Sequence, residues 1–387
     1  MAKKLRSPTA AALVEGALDR RPVSGLTHNY YRYPARFSPA FARACIETYT
    51  RPGQVVLDPF MGGGTTVIEA MVLGRRAIGS DINSLGVFIA RVKVSPLSRS
   101  ERAAVTRWAD LVVPSIRCSD AAPLTGRIPR NMTMPEARWL RKTISLLLSS
   151  LDRKLASDRS RSFARCVVLN VGQWALNGRR RIPTAAEFRE RISIQACDML
   201  SGVAELEEAI VAVSGGTHRP ILRQNDAESL HLDKTIRRAG PADLVVTSPP
   251  YPGIHMLYHR WQVDGRKETD APYWIAAQND GLGSTYYNFA DRRKAAEDRY
   301  FRKAKAAFSS IRSVMRHGAV LAQFIAFSDP ARQLKRYLSM MKRAGFVECR
   351  GKYERRTWRD VPSRRWHASL QGDTSSSREV VLVHRAT

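Results

Sequence analysis

Asp58-Pro59-Phe60-Met61-Gly62-Gly63-Gly64-Thr65-Thr66 is the stretch that decides the fold. Before it, Gln54–Leu57 is a short apolar run that follows Pro52-Gly53, the pattern of a buried strand. After it, Gly63–Gly74 has helical apolar spacing and ends in glycine. Arg76–Ser80 reads as a second strand closed by Asp81, and Ser84–Val92 as a second helix with Ser84 as N-cap. The glycines let the backbone turn tightly and approach a ligand without side-chain obstruction. Asp81 stands about twenty residues beyond the turn, where an acid at a strand end accepts hydrogen bonds from ribose hydroxyls.

The same alternation resumes far downstream. Pro220–Arg223 is a strand ending near Asp226, and Asp243–Val246 runs into Thr247-Ser248-Pro249-Pro250-Tyr251. Phe301–Arg316 and Pro330–Ala344 have the helical period, while Ala319–Phe324, Phe346–Cys349 and Val380–His384 read as strands. Strands alternating with helices predict an α/β, Rossmann-like fold: a seven-stranded, mostly parallel sheet with helices on both faces. One long segment, from about Pro96 to Arg219, breaks the rhythm. Ala137–Leu151, Phe163–Leu176 and Ala185–Val213 within it are helical in spacing, so a helical insertion is expected over 96–218. The sheet domain then comprises 20–95 and 219–387, and residues 254–300 form a loop-rich excursion. Ligands of such sheets bind beyond the carboxyl ends of the strands. Both motifs follow directly after strands and are expected to share that edge.

The first motif is not a P-loop, because no Gly-Lys-Ser/Thr follows the glycines. Nor is it a clean GxGxxG, since Thr66 or Val67 stands at the third glycine. Asp58 precedes the turn, where a carboxylate would repel a pyrophosphate and suits a cationic ligand. S-adenosylmethionine carries a sulfonium and an ammonium. A tight turn with no ligand is the alternative.

The second motif suits chemistry on an exocyclic amine, a poor nucleophile because its lone pair is delocalised into the base. Acceptors around the N–H groups draw the nitrogen towards tetrahedral geometry. Ser248 Oγ and the Pro249 carbonyl are such acceptors. Pro249 and Pro250 stiffen the loop and remove competing N–H donors. Tyr251 offers a face for stacking on a base. Prearranged acceptors need little reorganisation as charge develops. A base within a duplex reaches such a pocket only by flipping out.

On these residues the chain resembles the DNA amino-methyltransferases. Asp58–Thr66 looks like their DPFxGxGTT cofactor signature, and Ser248–Tyr251 is similar to their SPPY catalytic form. His28-Asn29-Tyr30-Tyr31-Arg32-Tyr33-Pro34-Ala35-Arg36-Phe37-Ser38-Pro39 resembles the segment that packs beside the methionine end of the cofactor in that family. The resemblance implies the methyltransferase version of the Rossmann-like fold, with S-adenosylmethionine as cofactor and DNA methylation as activity. It implies a cofactor set of Tyr33, Pro34, Phe37, Asp58, Pro59, Phe60, Gly62, Gly64, Thr65, Thr66, Asp81, Asn83, Asp226 and Thr247. Phe60 would line the pocket, Asp81 hold the ribose and Asp226 lie near the adenine, although an Asp after a strand is also an ordinary turn or cap residue. The catalytic set is Ser248, Pro249, Pro250 and Tyr251. The SPPY form goes mostly with N4 of cytosine and the Asp form with N6 of adenine, so cytosine N4 is the leading expectation and adenine N6 the alternative. The catalytic motif precedes the cofactor motif in the common SPPY layout and follows it here. The resemblance covers about 28–93 and 220–385, and the insertion matches nothing in it.

Charge agrees with a polyanionic partner. Sixty-three Lys and Arg face 35 Asp and Glu, a net charge of +28, with a pI near 10.6. Double-stranded DNA relieves the self-repulsion this entails. Candidate DNA contacts are Arg179, Arg180 and Arg181 in the insertion, Arg260 after the catalytic motif, and Arg355, Arg356, Arg364 and Arg365 near the C-terminus. Arg153, Lys154, Arg159, Arg161, Arg165, Trp358 and Arg359 extend these clusters. They would mostly contact phosphates. A cognate restriction endonuclease is compatible as a functional partner, with no physical association required. An RNA amino-methyltransferase and a catalytically inactive DNA-binding protein with a relic cofactor pocket remain rival readings. Five cysteines without CxxC spacing argue against structural zinc and disulfides. His255 and His259 are four apart, but no acid cluster joins them, and methyl transfer from a sulfonium needs no metal, so none is expected. No segment approaches membrane-spanning length, and a bacterial or archaeal cytosol is the expected location.

Overall fold

A computed structural model of the chain describes residues 10–33, 36–117, 119, 128–179, 181–214, 219–253, 261–263, 267–281, 286–290, 294–351, 354–361 and 378–387. Helices α1 (Ala10–Leu18) and α2 (Pro39–Tyr49) precede strand β1 (Val55–Asp58). Helix α3 (Thr65–Val72), strand β2 (Arg76–Asp81) and helix α4 (Ser84–Lys93) follow. Helix α5 (Arg99–Arg107), a π-helical stretch at Trp108–Val112 and the short α6 (Val113–Ser115) lead to three long helices: α7 (Pro135–Lys154), α8 (Asp158–Leu176) and α9 (Ala185–Ser214). The sheet resumes with β3 (Ile221–Gln224), α10 (Lys234–Arg238) and β4 (Ala242–Thr247). Next come a hairpin of β5 (Trp261–Val263) and β6 (Lys267–Thr269), then α11 (Ala271–Ala276) and α12 (Glu297–Ser313). The chain closes with β7 (Met315–Ala326), α13 (Pro330–Arg343), β8 (Phe346–Glu348), β9 (Thr357–Asp360) and β10 (Arg378–Ala386).

The main sheet runs β3-β2-β1-β4-β7-β10-β8, with β9 paired to β10. The first five strands of that order are mutually parallel, and β10 is antiparallel to β7, β8 and β9. The sheet therefore has eight strands, not the expected seven. Thr357–Asp360 has no apolar run to announce it and becomes a strand through its partner, with Arg359 opposite Glu379. Strand order reverses between β1 and β4, which pair in register at Leu57 and Val245. The turn after β1 and the turn after β4 thus leave neighbouring strands at the same end, the place where such sheets hold ligands.

Both faces of the sheet are covered, so its strands read as continuous apolar runs. Leu57, Val245, Leu321, Ile325 and Leu382 meet Phe308 of α12 and Tyr337 of α13 on one side. Val56, Leu244, Val246, Ala322 and Phe324 meet Phe41 of α2 and Ile68 of α3 on the other. A third core unites the long helices with α4 and, from far along the chain, with β5 and α11. Gly172 of α8 makes room for this: a Cβ there would lie 3.0 Å from the Trp261 ring. Gly178 N donates to the Gln262 carbonyl at 2.8 Å, and Gln262 N donates to Asn177 Oδ1 at 3.0 Å. The excursion after the catalytic motif thus carries a hairpin and a helix that belong to the helical lobe. The cap of α4 is Asn83, whose Oδ1 accepts from Leu85 N, and not Ser84.

Phe308 is 0% exposed and packs edge-on against Tyr337 and Phe346 at 6.1 and 6.2 Å between ring centroids. Phe308→Ala is expected to cost about 3–5 kcal/mol, read as a lowered urea midpoint with an unchanged slope.

Candidate active site

The glycine turn is shaped by what lies on either side of it. Gly62 and Gly64 adopt φ of 46° and 80°, a region that favours glycine. A Cβ on Gly62 would come within 2.9 Å of the Tyr33 ring, and one on Gly64 within 3.0 Å of Ala90 Cβ. The Asp81 carboxylate accepts from Gly62 N and from Asn83 N, each at 2.8 Å, and so ties the turn to the end of β2. Burial pushes Asp81 up to about 6. Asn83 is itself held, donating to Tyr33 Oη and accepting from Tyr273 Oη, both at 2.9 Å. Lys93 is buried behind the turn and donates to the carbonyls of Gly63 and His28 at 2.9 and 3.1 Å. Burial lowers its ammonium to about 7, helped by the nearby charge of Arg36.

Asp58 lies beneath this turn. It is 2% exposed, and its Oδ1 accepts from Thr247 Oγ1 at 2.7 Å and from Phe60 N at 3.2 Å. Thr66 Oγ1 donates to the Val246 carbonyl at 3.1 Å. Asp58, Thr66 and Thr247 therefore lock the β1 and β4 turns together from behind. This corrects the expectation that Asp58 meets a cationic ligand directly, since burial has turned its charge inward.

A partly open cleft lies above. Tyr33, Phe37, Pro59, Phe60, Gly62 and Thr65 line it from the first motif and its upstream segment. Asp81, Asn83 and Asp226 stand along it, and Ser248 and Pro250 enter from the β4 turn. Asp226 also caps the 3-10 turn Ala227–Leu232, accepting from Glu228 N at 3.0 Å. Pro249 and Gly64 are buried outside this lining. The expectation of an open Tyr251 face is also corrected. Its ring is 4% exposed, and its hydroxyl bonds Ser248 Oγ at 2.8 Å and Glu379 Oε1 at 3.1 Å. The Pro250 carbonyl accepts from Tyr300 Oη at 2.7 Å.

Sequence reading did not assign Arg36, Glu228, Lys303 or Tyr286 to Phe289, all of which line the cleft. The one available signal was the Tyr286-Tyr287-Asn288-Phe289 run in a polar stretch. Tyr286 is 38% exposed and is an aromatic surface the cleft offers.

The basic candidates divide. Arg179 is exposed and lies over the Trp174 ring, 4.5 Å from its centroid. Arg181 and Arg355 are also exposed. Arg356 instead pairs with Glu348 at 2.6 Å, Arg359 with Glu379 at 2.7 Å and Arg159 with Glu101 at 3.1 Å. Arg161 pairs with Asp158, and Arg165 donates to the Ile275 carbonyl at 3.2 Å. Pro34, Arg180, Arg260, Arg364, Arg365, His255 and His259 lie outside the described residues. Among the described residues no group of three His, Cys, Asp or Glu is placed to hold a metal ion, and no helix is long and apolar enough to cross a membrane.

Burial raises Asp58 from 3.8 to about 7. A carboxyl whose folded value is raised favours the fold when protonated, so its contribution is full below 3.8 and is lost as pH rises through 7. Asp58→Asn keeps an uncharged acceptor for Thr247 at every pH. Thermal melts are expected to show the variant more stable than the parent at about pH 8, with the gap closing towards about pH 4.

A family model described as DNA methylase matches residues 17–90. The Type II methyltransferase M.MvaI of Kocuria varians is 37% identical over 79 residues, 20% of this chain and 17% of that protein. M.MjaII of Methanocaldococcus jannaschii is 34% identical over 67 residues, 17% of this chain and 13% of that one. The DNA adenine methyltransferase YhdJ of Escherichia coli is 39% identical over 59 residues, 15% of this chain and 20% of that one. The chain thus spans a fifth or less of the length of these relatives. The matched segment holds the upstream aromatic stretch, the glycine turn and Asp81, and over it the chain is similar to DNA methyltransferases.

Proposed function

We propose that this chain methylates DNA, moving a methyl group from S-adenosylmethionine to the exocyclic amine of a flipped base, with N4 of cytosine as the leading target and N6 of adenine as the second. The observation that carries this reading is the single cleft lined by Gly62 and Asp81 from one motif and by Ser248 from the other. The cleft suits the cofactor: two of the three glycines offer backbone with no side chain, Phe60 offers an apolar wall, and Asp81 and Asp226 offer acceptors. Phe60, Asp81 and Asp226 would hold it, with Tyr33 and Phe37 beside them. Bound S-adenosylmethionine supplies an electrophilic methyl group on a sulfonium.

The protein's own part is positioning and polarisation. Ser248 Oγ accepts an N–H of the target amine, which draws the nitrogen towards tetrahedral geometry and frees its lone pair. Pro249, buried outside the cleft lining, stiffens the loop that presents Ser248. The Pro250 carbonyl is already taken by Tyr300 and serves to hold the loop. Orienting amine and methyl group in one line supplies much of the remaining acceleration. Arg179, Arg181 and Arg355 are exposed and available to phosphates, which position a duplex without reading it. The net charge of +28 favours that partner.

The test is methyl transfer from labelled cofactor to duplex DNA and to total RNA, followed by mass spectrometry of the nucleosides. N4-methylcytosine from DNA is the expected product. N6-methyladenine would move the target base, and label confined to RNA would overturn the DNA assignment. Ser248→Ala should lower turnover by roughly 10²–10³, the scale for one lost transition-state contact, while DNA affinity changes little. Asp81→Ala should weaken cofactor binding by about 1.5–3 kcal/mol in a calorimetric titration. An unchanged dissociation constant would remove Asp81 from the site.

A further inference from the structure

We infer that Glu379, two strands from β4 in the sheet, and Arg359, one strand further, fix the direction of the Ser248 hydroxyl so that Ser248 faces the cleft as a hydrogen-bond acceptor. This rests on the catalytic reading of Ser248 given above. It assigns Glu379 and Arg359 as positioning residues that act through Tyr251.

Glu379 is 2% exposed and sits directly opposite Arg359 across the β9–β10 pairing. Arg359 Nε and Nη2 donate to Glu379 Oε2 at 2.9 and 2.7 Å. A guanidinium bound in this way keeps the carboxylate ionised, and an ionised carboxylate only accepts. The contact of 3.1 Å between Tyr251 Oη and Glu379 Oε1 is therefore donated by the tyrosine. A phenol has one proton, and this bond uses it. In the 2.8 Å contact between Ser248 Oγ and Tyr251 Oη, the serine must then be the donor. Its single proton points to Tyr251, away from the cleft that Ser248 lines. Only lone pairs remain for a ligand.

The distinction matters for an amine. A hydroxyl free to rotate can offer its proton to the amine nitrogen, which withdraws the lone pair the reaction needs. A serine whose proton is committed behaves as a carboxylate would, without placing a net charge in the cleft. Arg359 is itself held, with its guanidinium carbon 4.0 Å from the Phe324 ring centroid and Nη1 donating to the Ala17 carbonyl at 3.3 Å. The contacts Arg359–Glu379–Tyr251–Ser248 thus connect β9 and β10 to the cleft.

Tyr251→Phe tests this, because it keeps the ring and the Arg359–Glu379 pair and removes only the hydroxyl. At saturating DNA and cofactor its kcat is expected to fall roughly tenfold or more, the effect of one misdirected hydrogen bond, with both KM values and the melting temperature near those of the parent. Neutron diffraction from crystals of the deuterium-exchanged parent protein reads the proton positions without any turnover. Deuterium on Ser248 Oγ directed at Tyr251, and on Tyr251 Oη directed at Glu379, is the expected map. Deuterium on Tyr251 directed at Ser248, or an unchanged kcat in Tyr251→Phe, would overturn the inference. A parent protein with the expected map that methylates no nucleic acid would instead sink the functional reading alone.

Discussion

Thr247 Oγ1 donates to Asp58 Oδ1 at 2.7 Å across the seam between two parallel strands, and the arrangement of the site depends on that seam. β1 and β4 are adjacent because the strand order reverses there. Their following turns therefore emerge side by side, one carrying glycines and the other Ser-Pro-Pro-Tyr. A buried carboxyl is costly unless it is hydrogen-bonded or neutral. Asp58 meets that condition with the threonine and the Phe60 amide, and the same bonds hold the two turns in register. The cleft is the space left above this junction.

A second constraint comes from the helical lobe. Its core joins α7, α8 and α9 to α4, β5 and α11, so residues far apart in sequence build one body. Asn170 Nδ2 donates to the Tyr30 carbonyl at 3.2 Å, and Gln173 Nε2 donates to the Arg32 carbonyl at 3.0 Å. Helix α8 thereby grips the segment that places Tyr33 on Gly62. The lobe is built into one wall of the cleft. Much of the arginine content is also structural: Arg159, Arg161, Arg356 and Arg359 pair with acids of the chain itself.

How far the sequence could be read depended on where the information is stored. The strands β1, β2, β4 and β7 were visible because burial on both faces demands unbroken apolar runs. The glycine turn was visible because its conformations and the Tyr33 contact exclude side chains. Asn83 and Ser84 are both good caps, and spacing alone could not choose between neighbours. The three-residue strands of the hairpin, and β9, exist through their partners and leave no local pattern. The sign of Asp58 suggested a ligand contact, but charge in a sequence does not say which way a carboxyl will face. Glu379 was illegible for the same reason: its role comes from lying opposite Arg359 and within reach of Tyr251, 128 positions away in sequence.

The seam also explains how so large a lobe can be accommodated. The long helices leave the sheet after α4 and return at β3, on a crossover towards the sheet's outer edge. Neither strand of the central pair is stretched or displaced by what is spliced in at that point. An architecture of this kind separates the part that must stay fixed from the part that is free to diverge. A segment spliced in along that edge can vary in length while the spacing of the two turns stays the same.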